Sequence, residues 1–122
     1  EQGYVRIVGR ENDLIITGGF NVYPAEVEGA IDQISGVAEC AVIGVPHPDF
    51  GEGVTAVVVR SGASNPSARD IQAQLTAELA KYKVPKEVYF VDSLPRNKMG
   101  KIQKNELRTR YGDTFKKGAN GH

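Results

Sequence analysis

Apolar residues fall into short segments that switch between two periods along the chain. Tyr4 to Val8 and Leu14 to Thr17 are β-prone runs on either side of "GREND". The Gly, Asn and Asp of that spacer predict a small hairpin. "GGFNVYP" reads as a loop leading to Pro24, which suits the first turn of a helix, with Glu26 and Glu28 near its positive end. Val27, Ala30, Ile31 and Ile34 then repeat at i, i+3, i+4, i+7, the stripe of an amphipathic helix that Gly36 ends.

Val37 to Val45 is a strand with apolar residues on both faces, "PHPDFGEG" a loop, and Val54 to Arg60 a second strand. After "SGASNP", Ser67 and Asp70 have the spacing of a capping box. Ile71, Leu75 and Leu79 carry a helical stripe to about Tyr82. Glu87 to Val91 reads as a third strand, "LPRNKMGK" as a loop and Gln103 to Tyr111 as a short last helix. The predicted class is α+β: a small β-hairpin followed by a three-stranded central sheet with helices packed on it. Residues 1–17 form the hairpin segment, 18–111 the body of the domain and 112–122 a flexible tail.

The 122 residues suit one domain with a modest core. Fifteen basic residues balance fifteen acidic ones, but unevenly. Up to Pro95 there are 7 Lys/Arg against 13 Asp/Glu, a net −6; from Arg96 onward there are 8 against 2, a net +6. A basic tail behind an acidic body points to an anionic partner or to another protein surface. The single cysteine, Cys40, excludes an intrachain disulfide and fits a reducing cytosol. No apolar run is long enough to span a membrane. The opening "EQGYVRIVGR" lacks an initiator Met and reads as the interior of a longer chain.

"PRNKMGKI" ends in Gly-Lys but is not a phosphate-binding P-loop, because Pro95 and Ile102 stand where that pattern needs Gly and Ser or Thr. "GGF" lacks the third glycine of a dinucleotide fingerprint. His47, His122 and one Cys make no metal-ligand pattern. Taken singly, Lys101 reads as an exposed loop lysine, Gly18 and Gly19 as turn glycines, and Arg10 as a turn arginine. Likewise His47 reads as structural, Glu52 as a partner for loop amides and Cys40 as a small buried residue.

The three segments "GYVRIVGRENDLIITGGFNVYPAEVE", "VIGVPHPDFGEGVTAVVV" and "LPRNKMGKIQKNELR" occur in this order at these spacings. Together they resemble the C-terminal domain of the adenylate-forming superfamily over roughly residues 3 to 111. That superfamily holds acyl-CoA synthetases, aryl-CoA ligases, luciferases and peptide-synthetase adenylation domains. Within it the wording is most similar to the bacterial malonyl-CoA synthetases.

The resemblance implies a mobile lid on a large N-terminal domain that holds ATP, Mg²⁺ and a carboxylic acid. The acid attacks ATP to give an acyl-adenylate and diphosphate, and the thiol of CoA then displaces AMP. Lys101 matches the catalytic lysine of the first step, and acetylation of that lysine is a further implication. Gly18, Gly19 and Phe20 match the face that admits the pantetheine arm of CoA. Asn21 falls near the adenylate, and Arg10 matches an arginine that holds the ribose. Asn12 occupies the hinge position, where the superfamily usually has Asp or Lys, and Asp13 stands beside it. Two other readings stay open: the lid of a peptide-synthetase adenylation domain, and a small nucleic-acid-binding module built on the Arg96–Lys117 charge. The basic segment has few interleaved aromatics and includes an apolar helix face, which argues against the latter.

Overall fold

The computed structural model describes residues 14–62 and 64–115. In chain order these form β1 (Ile15–Thr17), β2 (Phe20–Val22), α1 (Pro24–Asp32), β3 (Val37–His47) and β4 (Gly51–Arg60). There follow α2 (Ala68–Thr76), a 3-10 turn (Lys81–Lys83), β5 (Glu87–Phe90) and α3 (Lys104–Arg110).

β4 is the central strand. β3 pairs antiparallel with it from Val37↔Arg60 to His47↔Gly51, occupying one whole edge. The other edge is shared. β5 runs parallel to β4 from Thr55↔Glu87 to Val58↔Phe90, and β1 meets β4 antiparallel at Thr17↔Gly51. β2 closes the sheet against β1. The α+β reading holds, with helices on the sheet and the hairpin joined to the same five strands.

Both faces of the sheet are covered, so β3 is buried without a break from Cys40 to Val45 and β4 from Gly53 to Val58. Strand alternation sorts these residues into two cores. Cys40, Val42, Val54, Ala56 and Val58 pack with Val27, Ile31, Ile71 and Leu75 of α1 and α2. Ala41, Ile43, Val45 and Val57 pack on the opposite face with Leu94 and with Leu107 of α3.

Three expectations need adjustment. Phe20–Val22 is a strand and not part of a loop, because Gly18 (φ 58°) and Gly19 (φ 86°) make a two-residue turn with both φ positive, as hairpins favour. The Tyr4 to Val8 run, expected to form the hairpin with Leu14 to Thr17, lies outside the described residues. The loop at "PHPDFGEG" shrinks to Pro48–Phe50, since Pro46↔Glu52 and His47↔Gly51 are paired. The helix expected to reach about Tyr82 ends at Thr76. The backbone turns extended at Ala80 and again at Val84, the latter as Pro85 requires of the residue before it, yet Leu79 and Tyr82 still pack against the core, Tyr82 from within the 3-10 turn. The capping box at Ser67 and Asp70 is present in both directions.

Candidate functional site

The Lys101 loop is a short, closed projection with both feet in the core. Leu94 is buried and Ile102 packs against the same cluster beneath α3. Arg96 and Ile102 form an antiparallel bridge, and the Gln103 N–H donates to the Pro95 carbonyl (2.8 Å). Between these feet the chain turns through Gly100, at φ 85°. Asn97 organises the turn. Its Oδ1 accepts the N–H groups of Met99 (2.9 Å) and Lys101 (3.0 Å). Its own N–H donates to the Lys101 carbonyl (2.9 Å), and its carbonyl accepts the Gly100 N–H (2.9 Å).

Arg96 fastens this turn to the sheet. Nη1 donates to the Gly100 carbonyl (3.1 Å) and Nη2 pairs with Glu39 Oε1 on β3. Arg96 is therefore not a loose surface charge. Lys101 itself is exposed, and none of the described residues pairs with its ammonium. A free cation on a fixed backbone, on the returning arm of a tightly bonded loop, is suited to meet an anion brought from outside this chain.

The Gly18–Gly19 turn projects from a different part of the sheet. The Gly18 N–H donates to the Phe50 carbonyl (2.9 Å), beside the turn that joins β3 to β4. A Cβ on Gly18 would lie 3.5 Å from the Phe50 ring, while one on Gly19 would meet no atom within 4 Å. Positive φ, and not crowding inside this chain, is what calls for glycine here. Phe20 is 55% exposed and stacks on Tyr82, centroids 4.6 Å apart. Asn21 pairs with Ile16 in the ladder and is exposed, so it points to the face opposite Phe20. Arg10, Asn12 and Asp13 lie outside the described residues.

The structure thus does not bring the expected residues into one cluster. Arg96 reaches Glu39, which pairs with Val59 near the end of β4, whereas Gly18 bonds at Phe50, next to the start of β4. Gly51 to Val59 spans about 27 Å at the usual antiparallel rise per residue. Two exposed features, one cationic and one a glycine turn with an aromatic flank, stand at opposite ends of the central strand pair.

Other residues support these features. Glu52 Oε1 accepts the Ile16 N–H (2.8 Å), which ties the hairpin to β4; the amide it serves belongs to a strand and not to a loop. Glu28 is more than a helix-start acid. Its Oε2 accepts the Val42 N–H (2.9 Å) at the β3 edge and meets Lys104 Nζ of α3 at 2.7 Å, so it links both layers. His47 packs at a tilt against Phe50 and Phe115, ring centroids 4.6 and 4.9 Å apart, and its Nδ1 accepts the Asp49 N–H (3.0 Å). Cys40 is buried, and burial first, then Asp32 and Glu28, push its thiol well above the ordinary range. Asn97, Glu39 and Glu28 were not singled out as partners from the sequence. For Asn97 the signal was present, as Asn followed three residues later by Gly is a turn pattern in which the side chain bonds nearby backbone. Among the described residues, no three His, Cys, Asp or Glu side chains cluster as a metal site would require.

Residues 26–101 match the family described as AMP-binding enzyme C-terminal domain. The chain is 52% identical over 108 residues to the 3-[(3aS,4S,7aS)-7a-methyl-1,5-dioxo-octahydro-1H-inden-4-yl]propanoyl:CoA ligase of Rhodococcus jostii, covering 88% of this chain and 21% of that protein. It is 50% identical over 110 residues to a feruloyl-CoA synthase of Amycolatopsis, covering 90% and 22%. Among solved structures, ATP-bound MatB from Rhodopseudomonas palustris superposes with a TM-score of 0.86 at 60% identity, covering 93% of this chain and 23% of that one. The chain spans about a fifth of the length of the relatives it matches.

Proposed function

The chain belongs to the AMP-binding enzyme C-terminal domain family, and on that premise we propose that it is the lid of an ATP-dependent acid–CoA ligase. In the first half-reaction a substrate carboxylate oxygen attacks the α-phosphorus of ATP. An acyl-adenylate forms and diphosphate leaves. In the second, the CoA thiolate attacks the acyl carbonyl and AMP leaves, giving acyl-CoA.

The observation that carries this reading is the separation of the Lys101 loop from the Gly18–Gly19 turn by the length of the central strands. One active centre cannot use both at once, so a lid that turns between half-reactions gives each feature its own step. Lys101 serves the first step. Two anions approach each other there, and charge grows on the phosphoryl oxygens; an ammonium stabilises both. Gly18, Gly19 and Phe20 serve the second, as the wall along which the pantetheine arm passes. Asn21, on the other face of the hairpin, and Arg10 contact the nucleotide, and Asn12 serves as the hinge. ATP and the acid are held mainly by an N-terminal domain, without which this chain is inactive. Mg²⁺ would be held by that N-terminal domain as well; among the described residues no three His, Cys, Asp or Glu side chains cluster.

For the acid, likeness to MatB at 60% identity favours malonate and a malonyl-CoA synthetase. Relatives that are named for feruloyl and long-chain fatty acyl groups make the acid a question for assay. The chain is also 46% identical to a fatty acid–[acyl-carrier-protein] ligase of Streptomyces coeruleorubidus, which supports a second reading with a carrier-protein thiol as acceptor. A nucleic-acid role loses ground, because Arg96, Lys104 and Arg110 of the basic segment are paired with Glu39, Glu28 and Glu106. A cytosolic enzyme fits this chemistry, and no described helix is long and apolar enough to cross a membrane.

The test uses the complete ligase with Lys101→Ala. Acid-dependent ATP–diphosphate exchange should collapse, while thioester formation from supplied acyl-adenylate stays near the parent rate. Equal loss in both steps would sink the assignment. Assays with malonate, ferulate and a long-chain fatty acid, each with CoA or a carrier protein, decide substrate and acceptor. Acetylation of Lys101 removes the same charge and should give the same split.

A further inference from the structure

We propose that Asn97 is the positioning residue for Lys101, with the Arg96–Glu39 pair orienting the loop against the sheet. The inference rests on the reading of Lys101 as the cation of the adenylation step, and goes beyond it by naming what aims that cation.

A lysine side chain has a long flexible stem, so its ammonium is placed only as well as its backbone is held. Here one residue holds that backbone from both sides. Asn97 accepts the Lys101 N–H through Oδ1 (3.0 Å) and donates its own N–H to the Lys101 carbonyl (2.9 Å). The same Oδ1 accepts the Met99 N–H (2.9 Å), and the Asn97 carbonyl accepts the Gly100 N–H (2.9 Å). The three residues before Lys101 therefore cannot rotate independently of Asn97. Only the bonds to Oδ1 depend on the side chain, and an acceptor at that position is what the geometry requires.

Asn97 has no role in holding the fold. It is exposed, as are Lys98, Met99 and Gly100, with Met99 at 87%. Neither core cluster includes a residue from 96 to 101. The four bonds around Asn97 fix only the turn of a loop that carries two exposed cations, Lys98 and Lys101, and of these it is Lys101 whose N–H and carbonyl both bond to Asn97. Arg96 completes the device, since its guanidinium joins the Gly100 carbonyl to Glu39 on β3. The loop is thereby rigid in itself and rigid relative to the sheet.

The experiment uses the complete ligase with Asn97→Ala, Asn97→Asp, Lys101→Ala and the Asn97→Ala/Lys101→Ala double variant. Acid-dependent ATP–diphosphate exchange reports adenylation, and thioester formation from pre-formed acyl-adenylate and CoA reports the second step. Asn97→Ala should lower kcat for exchange by about 10- to 100-fold, the scale of a misplaced reacting group. Its KM for ATP and its thioester rate should stay within about twofold, since neither depends on Lys101. Asn97→Asp keeps the acceptor and should recover most of the exchange rate. In the Lys101→Ala background, Asn97→Ala should add nothing, because a residue that acts through Lys101 has nothing left to aim.

Exchange at the parent rate in Asn97→Ala would overturn the proposal. So would equal losses in both half-reactions, or losses that add in the double variant. If Lys101→Ala itself exchanges normally, the adenylation reading of Lys101 fails. If Lys101→Ala is inactive in exchange and Asn97→Ala is not, only the positioning role fails.

Discussion

Replacing Gly19 separates two reasons for a glycine in the hairpin turn. The first is conformational: φ is 86°, a region that costs an L-residue about 1–2 kcal/mol. The second is the proposed passage for the pantetheine arm. A Cβ at Gly19 meets no atom within 4 Å, so no clash inside this chain adds to the conformational cost. Reduced freedom of the unfolded chain returns about 0.4–1 kcal/mol, which leaves roughly 1 kcal/mol net for Gly19→Ala. For a domain near this size that is a fall in Tm of about 3–6 °C. Gly19→Leu has the same backbone cost and its Cβ meets the same open space, so its Tm should lie close to that of Gly19→Ala. Thioester formation should not match. In the complete ligase, alanine should slow the second half-reaction only a few-fold, whereas leucine should slow it more than about tenfold, a barrier increase above ~1.4 kcal/mol. Adenylation should be unchanged in both. Calorimetry of the 122-residue chain gives the first comparison, and half-reaction assays give the second. If leucine slows the thioester step no more than alanine, the channel role is wrong and the turn alone explains the glycine.

Leu107 is fully buried under the second sheet face, so Leu107→Ala should destabilise the chain by about 2–5 kcal/mol in urea titration, while Met99→Ala should leave the midpoint in place. The Ser67 backbone N–H, and then its hydroxyl, hold the Asp70 carboxyl below its ordinary value of 3.8. A depressed carboxyl contributes stability above its unfolded value and loses it as pH falls through the folded one. Asp70→Asn should therefore lower the urea midpoint at pH 7, and the difference from the parent should shrink toward zero at a pH below both values. At pH 8 the Cys40 thiol should resist a thiol reagent in the folded chain and react fully in urea, because burial keeps it protonated; rapid labelling of the folded chain would contradict this.

Features set by neighbours in sequence were legible before any coordinates. The stripe from Val27 to Ile34 fixed a helix, Ser67 and Asp70 marked the start of another, and the even and odd positions of Val37–Val45 indicated a strand covered on both faces. Errors came where local pattern and backbone geometry compete. The stripe through Leu79 and Tyr82 continued, but the backbone leaves the helix after Thr76 and turns extended at Ala80, so a separate 3-10 turn carries Tyr82 to the core. "GGFNVYP" has the composition of a loop, yet two successive positive φ values fold it into a hairpin whose second strand is Phe20–Val22.

The supports of the candidate site were hidden for a different reason. Arg96 and Glu39 lie 57 residues apart, and nothing in either segment signals that they meet. The same holds for Glu52 with Ile16 and for Glu28 with Lys104, each of which joins elements from distant parts of the chain. Residue motifs therefore suggested the groups proposed to meet substrate, whereas the fold was needed to find what holds them. The distinction bears on mechanism. Glu39 sits near one end of β3 and Phe50 just past the other, so the fastenings of the Lys101 loop and of the Gly18–Gly19 turn are built into opposite ends of one rigid strand pair. Because a buried strand pair does not flex over that length, neither feature can approach a common site by local motion. A two-step reaction that uses both must move the whole domain as a body, and the hinge for that motion has to lie outside the sheet.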